Sequence, residues 1–186
     1  MELDKAIRER HSVRKFSTKE VDWRLILEAI DSARLAPLAG NLPVFKFVIV
    51  SEQEKINEIA TACQQNFISQ AKYVLVLCTD ANLVKRSYGE RADIYCRQQA
   101  GAAIENFLLK ITEIGLATCW VGAFSETTIR NTLKIPENIF IEAVFPIGYE
   151  MPPKSKQKFK PILENLLWFN KWKIKRFGHM KTPEPV

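Results

Sequence analysis

The apolar positions change period along the chain, and that change divides it into helices and strands. Leu3 to Glu9 reads as a short helix ending at the run Arg10-His11-Ser12-Val13-Arg14-Lys15-Phe16. Ser17-Thr18-Lys19-Glu20 has the spacing of a capping box, Ser and Glu three apart at a helix start. The helix expected after it carries Val21, Ile26, Ile30 and Ala33 near one face and stops before Pro37. Phe45 to Val50 reads as a strand and Glu52 to Cys63 as a helix. Tyr73 to Cys78 is almost continuously apolar, which predicts a central strand buried on both faces.

A polar connection, Asp80 to Glu90, precedes the longest periodic segment, about Arg91 to Ile114. At 1.5 Å per residue that helix reaches ~36 Å, enough to cross a small domain. Gly115 stands where its C-terminal cap belongs. The small stretch Ala100-Gly101-Ala102-Ala103 suits ordinary core packing or a dimer seam. Ala117 to Val121 reads as a strand turning at Gly122, Glu126 to Leu133 as a helix, and Ile139 to Ile147 as a last strand. After Glu150 the composition shifts to a Pro and Lys loop, and Pro161 to Trp172 suggests a short amphipathic helix. Residues 1–150 thus read as one body and 151–186 as an extension of the same domain. With about four or five strands and one dominant helix, the pattern is α+β or three-layer α/β.

Composition narrows the function more than the fold. Apolar residues make up 47% of 186, enough for a real core. The charge, 27 − 21 = +6, fits a phosphate-bearing ligand or a nucleic acid. Much of the excess lies in Lys171, Lys173, Lys175, Arg176 and Lys181, a pattern commonest on solvated surfaces. The four cysteines form no CxxC pair and have no histidine cluster, which argues against a metal site. No apolar run of about 18 residues predicts a membrane span, and Met1-Glu2-Leu3-Asp4-Lys5 carries no signal-peptide pattern. The expectation is a cytoplasmic protein with reduced thiols.

Three segments carry candidate chemistry. Arg10, Ser12 and Arg14 concentrate two guanidiniums and a hydroxyl in one short loop, which suits a dianionic phosphate, or a solvated helix end. Pro37-Leu38-Ala39-Gly40-Asn41-Leu42-Pro43 is a small-residue turn, plain or able to approach a flat ligand. Thr118 to Phe124 is a strand end with Trp120 and Gly122, a place where backbone N–H groups often meet ligands. There is no GxGxxG after a strand, no P-loop and no GxSxG, and the only histidines are His11 and His179. Cofactor chemistry fits that shortage of reactive side chains.

In order along residues 3–172, these segments resemble the nitroreductase family. The run 10–16 is similar to its first flavin motif and Ala36 to Asn41 to its second. Gly101 to Leu109 with Gly115 to Phe124 resembles its central helix and third motif, and Pro146 to Tyr149 with Lys158 to Glu164 resembles the end of its catalytic body. The resemblance implies a three-layer α/β/α sandwich with a mostly antiparallel sheet, acting as a homodimer with non-covalent FMN. It implies Arg10, Ser12 and Arg14 on the FMN phosphate and ribityl chain, His11 adjacent, and Lys158 and Lys160 reaching the same phosphate. Leu38, Ala39 and Asn41 would lie along the isoalloxazine from the partner subunit, Val121 and Gly122 at its edge, with Gln64 or Gln65 a further contact. NADH or NADPH would deliver a hydride to flavin N5 and leave before a small acceptor, a nitroaromatic or quinone, binds. A substrate lid would hold Arg86, Tyr88, Arg91 and Tyr95.

The chain departs from the family after Asn41. Where the family continues x-Gln-Pro-Trp, this sequence reads Leu42-Pro43-Val44-Phe45. Two alternatives stand beside the main expectation. One is a specialised flavoenzyme, dehalogenating or fragmenting flavin; the other is a nucleic-acid binder using the basic tail.

Overall fold

In the computed structural model, residues 2–152 and 160–175 are described. They fall into two units, Met1–Ser155 and Lys156–Val186. The first holds helices α1 (Leu3–Glu9), α2 (Trp23–Arg34), α3 (Gln53–Cys63), α4 (Asn82–Tyr88), α5 (Ala92–Glu113) and α6 (Glu126–Leu133). Its strands are β1 (Phe45–Val50), β2 (Tyr73–Asp80), β3 (Ala117–Thr118) and β4 (Ile139–Gly148). The sheet order is β1-β2-β4-β3 and every pairing is antiparallel.

The period of two in β2 sorts its side chains between two cores. Leu75 and Leu77 join Ile26, Ala29, Ala33, Ala103 and Phe107 of α2 and α5. Val74, Val76 and Cys78 join Ile56, Ile59, Ala60 and Ile129 of α3 and α6. Strand β4 does the same, with Phe145 and Ile147 on one side and Val144 on the other. The result is a helix–sheet–helix sandwich, with β2 buried on both faces as its apolar run predicts. Each large side chain so buried contributes ~1.5–3 kcal/mol. At the end of α5, Gly115 (φ 77) lets Leu116 N–H reach Ile111 O at 3.0 Å and Gly115 N–H reach Thr112 O at 3.1 Å, a Schellman cap.

Four sequence expectations need correction. The Ser17–Glu20 box does not open α2. Ser17 N–H instead donates to Tyr149 O at 2.8 Å, and the cap is Asp22, whose carboxylate accepts Arg24 N–H at 3.0 Å. The sheet end recruits the backbone of residues 13–17 before a helix can. The polar connection 80–90 is largely helix α4, started by Asn82 N–H on the Asp80 carboxylate at 3.0 Å and docked through Val84 alone; one buried residue leaves no period to read. The expected strand 117–121 is β3 of two residues plus an isolated bridge from Val121 to Val144. In the second unit, the helix expected over 161–172 shrinks to one turn, α7 (Leu163–Leu166), with every residue exposed.

Candidate functional site

Arg10 to Lys15 run between the C-terminus of α1 and the sheet as a pinned arm. Val13 N–H donates to Thr118 O at 2.9 Å, and Met151 N–H donates to Lys15 O at 3.0 Å. Phe16 bridges to Glu150. Val13 and Phe16 are 2% and 3% exposed, so the arm's apolar residues face in. Gly148 is required there, because a Cβ would stand 2.9 Å from Phe16 Cδ1.

The polar residues of the arm face the other way. Ser12 is half-buried and its hydroxyl has no partner among the described residues. Arg14 is exposed and touches only an aromatic face, 6.0 Å from the Phe67 centroid, with no carboxylate among the described residues. Arg10 lies 3.6 Å from Glu105 of α5, a half-exposed ion pair of little energetic weight. His11 is different: Nδ1 meets Glu9 O at 2.7 Å and Nε2 meets the Glu150 carboxylate at 3.1 Å. Both ring nitrogens are engaged, so His11 fastens the arm to the end of β4. The segment after Gln64 closes on the same arm, with Gln70 Oε1 accepting Phe16 N–H at 3.4 Å. Gln64 caps α3 in the left-handed region, φ 52, and is exposed.

Residues 37–43 form a tight turn, with a 3₁₀ segment at Ala39–Asn41. Gly40 and Asn41 both have positive φ, 59° and 57°, which these two residue types tolerate best. Leu38 and Ala39 are half-buried and Asn41 is exposed. Over this turn lies Tyr88: a Cβ on Gly40 would stand 2.6 Å from the Tyr88 hydroxyl. The Tyr88 and Tyr95 rings meet edge to face at 5.0 Å, and Arg91 Nε donates to Tyr95 Oη at 3.1 Å. Tyr88, Arg91 and Tyr95 therefore gather beside Gly40. Arg86 is exposed and has no partner among the described residues.

At the third segment, Val121 is 2% exposed and its N–H is taken by Val144 O at 3.0 Å. Gly122 is exposed and open, the nearest atom to an added Cβ being Trp120 Nε1 at 3.9 Å. Of that pair, Gly122 alone keeps a backbone amide for a ligand. Lys160, in the second unit, is exposed; Lys158 lies outside the described residues.

Burial singles out two residues: Gln99, outside the motifs, and Thr118, at the start of the third candidate segment. Gln99 is 5% exposed and, among the described residues, neither amide atom has a partner; Thr118 is 5% exposed and its Oγ1 has none there either. A buried unpaired polar group costs about 1–3 kcal/mol. Gln99 lies on α5 between Ala92 and Cys96, which cluster with Leu42 and Val44, and Ala103, which clusters with Ala33 and Ala36. It thus lies on the face of α5 that packs against both sides of the 37–43 turn. Thr118 pairs with Ile147 and so shares the sheet face turned toward α5. A sequence signal for Gln99 existed: a Gln one turn before Ala103, on an otherwise apolar helix face.

Burial raises the Cys63 thiol to about 11 and, with Glu142 and Glu126 adding a smaller push upward against Arg130, Cys78 to about 12. Cys96 is raised chiefly by burial as well. None of these three is a thiolate at neutral pH, which suits no nucleophilic role. Among the described residues no His, Cys, Asp and Glu group could hold a metal, and no helix is long and apolar enough to cross a membrane.

The nitroreductase family profile matches residues 7–70 and 57–149, and the chain belongs to that family. An Archaeoglobus fulgidus protein named "Putative NADH dehydrogenase/NAD(P)H nitroreductase" is 31% identical over 83% of this chain and 87% of its own. The structure of NADPH:FMN oxidoreductase from Vibrio harveyi, complexed with NAD+, superposes with TM-score 0.79 over 92% of this chain and 78% of that one, at 21% identity, a likeness of fold. The iodotyrosine deiodinase of Thermotoga neapolitana is 19% identical over 80% of this chain and 89% of its own.

Proposed function

We propose that the protein is an FMN-dependent oxidoreductase taking electrons from NADH or NADPH and passing them to a small planar acceptor by a ping-pong cycle. The observation that carries this reading is the arm: among the described residues, Ser12 and Arg14 have no hydrogen-bonding or ionic partner, on a backbone already fixed by the Val13–Thr118 and Lys15–Met151 bonds. Such a preorganised pair of donors recognises a phosphate at low entropic cost. The orphaned Gln99 amide and Thr118 hydroxyl fit the same ligand, since flavin offers polar edges that would satisfy them.

When bound, FMN supplies hydride acceptance and electron transfer that no side chain here can provide. The chain's own residues bind and orient. Arg10, Ser12 and Arg14 would hold the phosphate, and His11 fixes the arm through Glu9 and Glu150. Gln64 lies at the start of the segment that closes on the arm. Leu38, Ala39 and Asn41 form a wall for the ring, and the Gly122 amide and Gln99 offer donors toward its polar edge. Val121 contributes shape, its amide being taken.

The functional unit is a homodimer in the cytoplasm. Leu3, Ile7 and Leu35 are 64%, 48% and 68% exposed on α1 and the end of α2, apolar surface that a second copy would cover. The extension has the same character in Leu166, Leu167 and Trp172. A second reading, reductive dehalogenation, is favoured by the Tyr88–Tyr95 ring pair and by the deiodinase likeness. The test is spectral. Protein reconstituted with FMN should bleach on anaerobic addition of NADH or NADPH and recover its colour with a nitroaromatic or quinone, without halide release from a halophenol. A flavin spectrum unmoved by either nucleotide contradicts the proposal; halide release selects the second reading.

A further inference from the structure

The Cys63, Cys78 and Cys96 thiols, all raised by burial, are protonated. The groove between α1, α2 and α5 belongs with the apolar dimer surface already described, and the small space beside Thr79 is occupied by its own Thr79–Glu142 hydrogen bond of 2.6 Å. The cluster over Gly40 is left.

Its chemistry is unusual for a lid. Arg91 donates Nε to Tyr95 Oη at 3.1 Å and lies 5.4 Å from the centre of the same ring. One of its five N–H groups is therefore used, and the terminal pair, the fork that grips a carboxylate bidentately, has no partner among the described residues. No carboxylate pairs with Arg91 among the described residues; Asp93, two residues on, engages Lys85 at 3.6 Å. Stacking on Tyr95 fixes the guanidinium, so little rotamer entropy is lost when it binds an anion. Beside it, the Tyr88 ring stands edge to face against Tyr95 and is 37% exposed. A ring face and a fixed cationic fork side by side match an aromatic ring bearing a carboxylate. The platform is tied to the ring wall of the proposed site through Tyr88 on Gly40, in the same chain.

The geometry points to Arg91, supported by Tyr95 and Tyr88, as the specificity-determining residue for the acceptor: the site takes planar aromatic anions in preference to their neutral counterparts. This inference rests on the oxidoreductase reading above. For a nitroaromatic acceptor the first turnover is balanced as Ar–NO2 + NADPH + H⁺ → Ar–NO + NADP⁺ + H2O. The nitro group is reduced by two electrons, one N–O bond breaks, and its oxygen leaves as water. Arg91 takes no part in that bond change; it holds the carboxylate at the far end of the ring.

The experiment compares 4-nitrobenzoate with 4-nitrobenzamide, which share ring and nitro group and differ in charge. The FMN-loaded wild type and the variants Arg91→Gln and Tyr95→Phe are assayed for kcat/KM on both. The expected result is a ratio, benzoate over benzamide, that falls about tenfold in Arg91→Gln, the loss of one charge-assisted contact. The fall should lie in KM for the benzoate, with KM for the benzamide moving by a much smaller factor. Tyr95→Phe, which frees Nε and loosens the fork, should lower the ratio by a smaller factor. A ratio equal in wild type and Arg91→Gln, or an equal loss on both substrates, overturns the assignment while leaving the oxidoreductase reading in place. A wild-type holoprotein that reduces neither compound, nor any quinone, overturns the functional reading itself and the inference with it.

Discussion

The arm at residues 10–17 and the turn at 37–43 are both short, irregular and placed between helix and sheet, yet they are held by opposite means. The arm is fixed by its backbone: Val13 on Thr118, Ser17 on Tyr149, Lys15 on Met151. Of its side chains, Ser12 and Arg14 are left without a hydrogen-bonding or ionic partner among the described residues. The turn is fixed by conformation and by a neighbour: two successive residues in the left-handed region, Gly40 and Asn41, under the Tyr88 hydroxyl. A frame built on backbone bonds tolerates change in its outward residues. A frame built on positive φ and a close side chain resists even a methyl group, which at Gly40 would meet the Tyr88 hydroxyl.

That contrast sets the size of the expected effects. Replacing both Arg10 and Arg14 with Ala should have the largest consequence for the ligand. Two charge-assisted contacts of ~1.5–3 kcal/mol each are lost, which weakens FMN ~10²–10⁴-fold with the melting curve of the apoprotein nearly unmoved. Flavin content after purification and fluorescence titration read this directly; retention of FMN would mean that the arm is only a solvated helix end.

Gly40→Ala should do the reverse, destabilising the fold itself. Left-handed backbone costs an L-residue ~1–2 kcal/mol, and the added Cβ meets Tyr88. Pairing it with Tyr88→Phe removes the atom at 2.6 Å and should return the steric part while leaving the backbone part, so denaturant midpoints of the two singles and the double should be non-additive. Additivity would break the claimed contact.

Gln99 distinguishes ligand from fold within one substitution. Gln99→Leu removes a buried amide without partners, so the apoprotein should gain on the order of 1 kcal/mol, while FMN binds several-fold more weakly. A loss of stability together with unchanged binding would show the amide to be structural.

The smallest effect lies away from both regions. Cys63 and Cys78 titrate near 11 and 12 in the fold, against 9.0 when exposed. Their folded values are raised, so their contribution is full below pH 9 and is lost as pH rises from there toward 11–12. Thermal melts should drop progressively above pH 9, less so in a Cys63→Ala/Cys78→Ala variant, with the flavin preference unaffected.

The helices and strands that bury one clean face or both were legible in the sequence. Leu3–Glu9, Phe45–Val50 and Glu126–Leu133 lie where the pattern puts them, and β2 and α5 differ by a residue or two at their ends. What escaped was set by tertiary partners. Ser17 caps nothing because Tyr149 takes its backbone, α4 shows one buried residue, and 163–166 is a single turn. At the site, the arginines were readable because their type is informative wherever they sit. The engagement of His11 with Glu150, 139 positions away, was not, since nothing local encodes it. The same holds for Tyr88 on Gly40 and for the orphaned amide of Gln99, whose significance is its missing partner.

The central claim is that the arm recognises a phosphate-bearing flavin. Its most direct test is the affinity of the wild-type apoprotein for FMN against riboflavin, two ligands with the same ring and ribityl chain that differ by the phosphate. Fluorescence titration should show FMN bound at least ~100-fold more tightly, with the preference collapsing in the Arg10→Ala/Arg14→Ala variant. Equal affinity for the two flavins, or a preference that survives in the variant, would contradict it.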